Sequence, residues 1–202
     1  MRNRLKAVLT ATLVAGLSGA IVRAMAPAAQ ETPSKPFNAA RVERGAYLVK
    51  TMGCNDCHTP LKMGARGPEP DMSRALTGHP QDLVMPPPPP PSGPWVWHGA
   101  ATNTAFAGPW GVSFSANLTP DVETGLGSWT EDMFIATMRT GRHQGKGRQI
   151  LPPMPYFIIG ALNDDDIRSL YAYLQSVAPV KNRVPAPQDP PASNASPSAE
   201  KR

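Results

Sequence analysis

Residues 54–59 read CNDCHT, and Cys54 and Cys57 are the only cysteines in the 202-residue chain. The fold depends on what this pair holds together with His58, which follows it directly. A structural zinc ion takes about four nitrogen or sulfur ligands, usually arranged as two pairs. The chain has no second CxxC and no HxxxH, and His79, His98 and His143 stand singly. Cys54, Cys57 and His58 therefore leave zinc one ligand short. A thioredoxin-type dithiol would exploit the lowered thiol pKa of CxxC, but no strand–helix–strand pattern surrounds the motif. A disulfide across two residues closes a very short loop and stabilises little.

Only covalent attachment of a c-type haem uses all three residues, and CxxCH is its signature. The two thiols form thioethers with the vinyl groups, and the adjacent histidine becomes the proximal iron ligand. Five letters recur by chance, so the rest of the chain has to support the assignment. The N-terminus supplies a compartment. Arg2, Arg4 and Lys6 precede an uncharged run from Ala7 to Val22, followed by Ala24-Met25-Ala26. This is the order of an export signal, so residues 1–26 are expected to be a signal peptide or an uncleaved anchor. The apolar run is shorter than the ~20 residues that span a bilayer comfortably. Export places the protein in the periplasm, where c-type haem is joined to its polypeptide, with inner-membrane association as a further expectation.

Removing that segment changes the meaning of the net charge of +5. Four of the 20 basic residues (Arg2, Arg4, Lys6 and Arg23) lie within it and no acid does, which leaves 16 basic against 15 acidic side chains. The high isoelectric point therefore belongs mostly to the leader, and no nucleic-acid partner is expected. One local basic cluster, from Arg139 to Arg148, reads as a solvated loop or as a surface that steers an acidic partner.

Three segments carry helical signals. Asn38 is a plausible N-cap for a helix to Met52, with Val42, Ala46 and Val49 near the helical period and Gly53 as its stop. In SWTEDMFIATMRTG, Ser128 and Glu131 have the spacing of a capping box, and Gly141 ends the segment. In NDDDIRSLYAYLQSVAP, Asn163 caps, Asp164–Asp166 occupy the dipole-favoured first turn, and Ile167, Leu170, Tyr171 and Leu174 form an apolar stripe. Residues 60–128 hold 13 of the 25 prolines, including MPPPPPPSGP from Met85 to Pro94, and show no regular element. A bound haem would let so long an irregular stretch be ordered, by giving it an apolar surface to wrap. From Pro179 onward the chain is poor in apolar residues, and residues 180–202 are expected to be disordered.

A haem iron has a second face. Among the methionines, Met154 stands out in ILPPMPYF, because flanking prolines fix φ and remove backbone donors, leaving a stiff segment suited to hold a thioether. Met63, Met72 and Met85 are competitors, as are the single histidines. An open sixth position would make the protein a peroxidase-like or gas-binding enzyme or sensor.

RGAYLVKTMGCNDCHTP, NLTPDVETGLGSWTEDMFIATMRTGR, LPPMPY and LNDDDIRSLYAYLQSV occur in this order and resemble the class I bacterial cytochrome c domain. The blocks are similar to those in cytochrome subunits of alcohol and gluconate dehydrogenases, and the resemblance covers residues 39–178. It implies an all-α cytochrome c-like fold over residues 37–179, with three main helices around one covalent haem c and a Pro-rich irregular insertion at about 60–116. The first and last helices would cross at Gly45, against Leu170, Tyr171 or Leu174. Cys54 and Cys57 would be the thioether sites, His58 the proximal and Met154 the distal ligand. Asn117 and Trp129 match positions that lie against the haem or its propionates. The implied role is electron transfer without bond-breaking chemistry, between redox proteins such as a periplasmic dehydrogenase and a quinol-linked complex or terminal oxidase. The chain has one CxxCH where the dehydrogenase subunits have several, and its insertion is longer than a minimal domain needs.

Overall fold

A computed structural model describes residues 37–90 and 93–190. The expected export signal and the last part of the Pro-rich tail, residues 191–202, lie outside the described residues. The frame is a pair of helices from opposite ends of the domain. Helix α1 (Ala39–Thr51) starts where the Asn38 side chain accepts a hydrogen bond from the Ala40 amide at 2.9 Å. Helix α5 (Asp164–Ser176) starts where Asn163 accepts from the Asp166 amide at 2.8 Å, with three aspartates in its first turn. Both caps fall where the sequence places them.

The two helices cross at Gly45, with a correction of register. A Cβ built on Gly45 would lie 1.9 Å from the Ser169 carbonyl oxygen and 2.7 Å from Tyr173 Cβ. The contact residues are therefore Ser169 and Tyr173, not Leu170, Tyr171 or Leu174. Those three are buried on the neighbouring face, in a core with Leu48, Val49, Leu76, Leu126, Phe134, Met138, Ile159 and Ile167. Arg44 closes the rim of the crossing with a bidentate contact to Asp166 at 2.7 and 3.1 Å.

Helix α2 (Cys54–His58) follows α1 through Gly53, whose φ of 70° turns the chain sharply. Helix α3 (Glu131–Thr140) is capped by Thr130, not Ser128: the Thr130 hydroxyl accepts from the Met133 amide at 3.2 Å. Thr130 is the last extended residue, which puts Glu131 in the first turn, where it pairs with Arg168 of α5 instead of closing a capping box. Helix α4 (Tyr156–Gly160) is a short turn after the Met154 segment. No helix among the described residues is long and apolar enough to cross a membrane.

The expectation of an all-α fold with three main helices and an irregular insertion is overturned. Beside five α-helices, the described residues form two antiparallel sheets. Strands β1 (Leu61–Gly64) and β2 (Gly67–Pro70) form a hairpin with Gly64 paired to Gly67. Strands β3 (His98–Gly99), β4 (Ala105–Gly108) and β5 (Gly111–Phe114) form a second sheet, with Gly108 opposite Gly111. Each strand is four residues or fewer, too short to show a period-two pattern, and prolines 68 and 70 sit within β2, in a sheet that has only edge strands. Between the sheets, Pro86 to Pro90 are exposed and outside any regular element.

The chain beyond α5 also differs from expectation. Residues 180–190 lie along the insertion instead of leaving it. Asn182 is buried and donates to the carbonyls of Thr77 and His79 at 2.7 and 2.9 Å, and its Oδ1 accepts from the Gln81 amide at 3.0 Å. Gln188 exchanges two backbone hydrogen bonds with Val112, each 2.9 Å. Low apolar content did not reveal this, because polar and backbone groups hold the segment, not buried area.

Candidate haem-attachment site

Cys54, Cys57 and His58 share one turn of α2, so the helix itself brings the two thiols and the imidazole together. Both cysteines are half-buried and neither is in a disulfide. Burial pushes the Cys54 thiol up to about 11, with smaller contributions from Asp56 and Cys57, and raises Cys57 in the same direction. Both shifts run in the direction that disfavours the thiolate. That is opposite to the lowered thiol pKa of a redox CxxC.

His58 is buried, and burial lowers its pKa against a smaller opposing effect of a carbonyl partner. That partner is Ala116: Nδ1 lies 2.8 Å from its carbonyl oxygen. A carbonyl only accepts, so Nδ1 carries the proton and Nε2 keeps its lone pair. A metal-ligating histidine is held in the same way, with the far nitrogen donating to a carbonyl that fixes the ring and raises its basicity.

Three further contacts hold that geometry. The His58 carbonyl accepts from the Gly78 amide at 2.8 Å. Thr59, fully buried, donates to Asn55 Oδ1 at 2.8 Å and accepts from the Leu76 amide at 3.0 Å. Gly78, with φ of 76°, lets residues 76–79 run against 115–116: a Cβ there would meet Ser115 O at 2.3 Å and the Ala116 carbonyl at 2.5 Å. Nothing local in the sequence marks Ala116, a partner 58 residues away, and the contacts of Gly78 and Thr59 are likewise made with distant residues.

Met154 is half-buried and packs against the same core cluster as Cys54, Met52 and Trp129. The loop that carries it is tied to the end of α3 by the Ile150 amide, 2.8 Å from the Gly141 carbonyl, and Gly141 ends α3 as expected. Its Pro152–Pro153 peptide is cis. Of the competing methionines, Met63 and Met72 are 78% and 63% exposed and Met85 is half-buried. His79 is buried but bonds through both ring nitrogens, to Thr104 and to the Leu83 carbonyl. His143 stands edge-on to Trp129 at 5.0 Å. His98, on β3, has a buried Nε2 without a partner among the described residues.

The two remaining candidates diverge. Trp129 lies half-buried against the core, and its carbonyl accepts from the Tyr171 hydroxyl at 2.7 Å. Asn117 is buried, but its side chain is committed to protein: Nδ2 donates to Thr124 and to the Val180 carbonyl, and Oδ1 accepts from the Thr119 amide and hydroxyl. It joins the 117–124 turn to the strap after α5. In the basic cluster, Arg139 is paired with Asp164 at 2.6 Å, and Arg142 donates to the Gly147 carbonyl. Of these two contacts, only the Arg139 ion pair offsets a positive charge in the cluster.

An oriented Nε2 without a partner among the described residues, two thiols on the same turn and a thioether on the adjoining apolar cluster fit a covalently bound haem. Comparison with known proteins agrees. The family model described as Cytochrome c matches residues 42–178. The chain is 32% identical over 184 residues, 87% of its length, to one of the subunits of nicotinate dehydrogenase from Pseudomonas putida. It is 31% identical over 182 residues, 89% of its length, to the fructose dehydrogenase cytochrome subunit of Gluconobacter japonicus. Over 149 residues, 73% of its length, it is 30% identical to the cytochrome c subunit of a quinone alcohol dehydrogenase from Gluconobacter oxydans. These matches span 13%, 29% and 24% of the respective relatives, so the chain corresponds to a small part of each.

Proposed function

Because the chain belongs to the cytochrome c family, we propose that it is the electron-transfer subunit of a periplasmic dehydrogenase complex, with its haem c iron held between His58 and Met154. The observation that carries the ligand assignment is the pairing of an oriented His58 Nε2 with a thioether on the same apolar cluster as Cys54. Haem c, when bound, supplies reversible one-electron chemistry, and Met/His ligation sets it at a raised potential. The polypeptide attaches the group through Cys54 and Cys57, orients one ligand through Ala116, and supplies an apolar wall through Met52, Leu48 and Trp129. This reading assigns the polypeptide no bond-breaking step.

The basic start and the uncharged run to Val22 support the periplasmic location. Membership of a complex is supported by the relatives, which are named as subunits of dehydrogenases for nicotinate, fructose and alcohols. The surface agrees. Residues 83–120 contain no Asp, Glu, Lys or Arg, and Trp95, Val96 and Trp97 lie exposed within that stretch. An exposed apolar patch of this kind marks an interaction site, and the catalytic subunit of a dehydrogenase is the partner it is assigned here. Electrons would leave toward a quinol-linked complex or a terminal oxidase.

The oxidised protein is expected to show a sulfur–iron absorption band at the red end of the visible spectrum. The reduced protein is expected not to bind carbon monoxide. Met154→Ala should abolish the band and admit carbon monoxide. A low-spin spectrum that persists in Met154→Ala overturns the ligand assignment and directs attention to His98. Co-purification with a dehydrogenase catalytic subunit whose substrate reduces the haem tests the complex; recovery as a lone soluble carrier overturns it.

A further inference from the structure

The segment Pro152-Pro153-Met154-Pro155 has an unusual difficulty. Three of its four residues lack a backbone N–H, so it cannot be held by donating to a ladder and must be held through its carbonyls. An apolar wall offers no donor for that. The structure shows where the donor comes from: the Ser113 hydroxyl on β5, buried, donates to the Pro152 carbonyl at 2.6 Å. Ser113 lies 39 residues away in sequence, inside the insertion that has no place in a minimal domain.

We propose that Ser113 is a positioning residue for Met154 and that the insertion's sheet serves to brace this ligand loop. The proposal rests on the His58/Met154 assignment above. Its second support is what lies next along the chain. Ala116, which accepts from His58 Nδ1, is three residues beyond Ser113, about 10 Å of extended chain. One short run therefore contacts the supports of both ligands: Ser113 reaches the Met154 loop and Ala116 the imidazole. That run is itself fixed. Ser113 pairs with Phe106 in the β4–β5 ladder, the Ser115 amide donates to Thr104 O at 2.9 Å, and Val112 is bonded on its other side to Gln188. The residues after α5 thus complete the brace from outside.

The measurement is imidazole binding to the ferric holoprotein, because an added ligand competes only when Met154 has left the iron. Ser113→Ala removes the side-chain donor to the Pro152 carbonyl. Imidazole affinity should rise about fivefold, the factor that one hydrogen bond of ordinary net strength supplies. Ser113→Thr keeps the hydroxyl in a residue suited to a strand and should restore affinity to within about twofold of the parent; Ser113→Val, nearly isosteric with Thr, should behave like Ala. Equal affinities for the Thr and Val variants overturn the proposal. If Met154→Ala abolishes the sulfur–iron band while Ser113→Ala leaves imidazole binding unchanged, Met154 stands as ligand and the brace falls. If the band survives in Met154→Ala, the ligand assignment itself falls, and the brace with it. A Ser113→Ala protein that fails to fold or to incorporate haem assigns Ser113 to the sheet's stability and also overturns the positioning role.

Discussion

Gly45→Val is expected to be among the most destabilising single substitutions in the domain, by roughly 3 kcal/mol or more, as for severe overpacking of a core. The position already has no room for one carbon: a Cβ there sits 1.9 Å from Ser169 O and 2.7 Å from the same carbonyl carbon. A carbonyl inside a helix cannot rotate aside, as a long side chain would, without giving up its own hydrogen bond. The helices must therefore part. Parting them opens the layer where Val49 and Ile167, both essentially inaccessible, and Leu170 meet, so the clash also exposes apolar surface. Because the obstruction is backbone, no side-chain deletion at Ser169 should relieve it. Chemical denaturation of the holoprotein measures the effect; a loss under about 1 kcal/mol would show that α1 and α5 have freedom to separate.

The helical frame was legible from the sequence because its signals are local. Asn38 and Asn163 cap helices directly beside them, Gly53 and Gly141 stop helices directly before them, and the stripe on α5 repeats within one element. The haem motif is legible for the same reason, since all three of its residues lie on one helical turn. What the sequence hid is non-local or very short. GARG and GPWG each flank a two-residue hairpin loop with paired glycines, but Ala-Arg and Pro-Trp are not residues that announce such a turn. The strands they join are too brief to show alternation. The strap after α5 was hidden for another reason. Its stability comes from Asn182 and backbone pairing, and composition records neither. The resemblance puts Asn117 against the haem, but the structure engages its amide with Val180 and Thr124, a need created only once the strap is in place.

Gly78→Ala should separate stability from the tuning of the iron ligand. The substitution has two costs. Alanine at φ of 76° costs about 1–2 kcal/mol for left-handed backbone, and its Cβ would lie 2.3 Å from Ser115 O and 2.5 Å from the Ala116 carbonyl. The total expected loss is roughly 3 kcal/mol. The functional consequence follows from which atom is displaced. Ala116 O is the acceptor for His58 Nδ1–H, and the Gly78 amide itself holds the His58 carbonyl at 2.8 Å. Moving the acceptor away weakens the hydrogen bond that makes the imidazole a better donor to a metal. A poorer donor stabilises the ferric state less, so the reduction potential should rise. Gly45→Val is the control, since it damages the frame without touching Ala116 and should leave the potential of whatever holoprotein folds unchanged. A redox titration of the two variants side by side decides the matter. Equal potentials in Gly78→Ala and the parent would mean that the 115–116 segment yields as a whole and carries His58 with it. A rise confined to Gly78→Ala would place the tuning of the ligand in a glycine 20 residues from the motif.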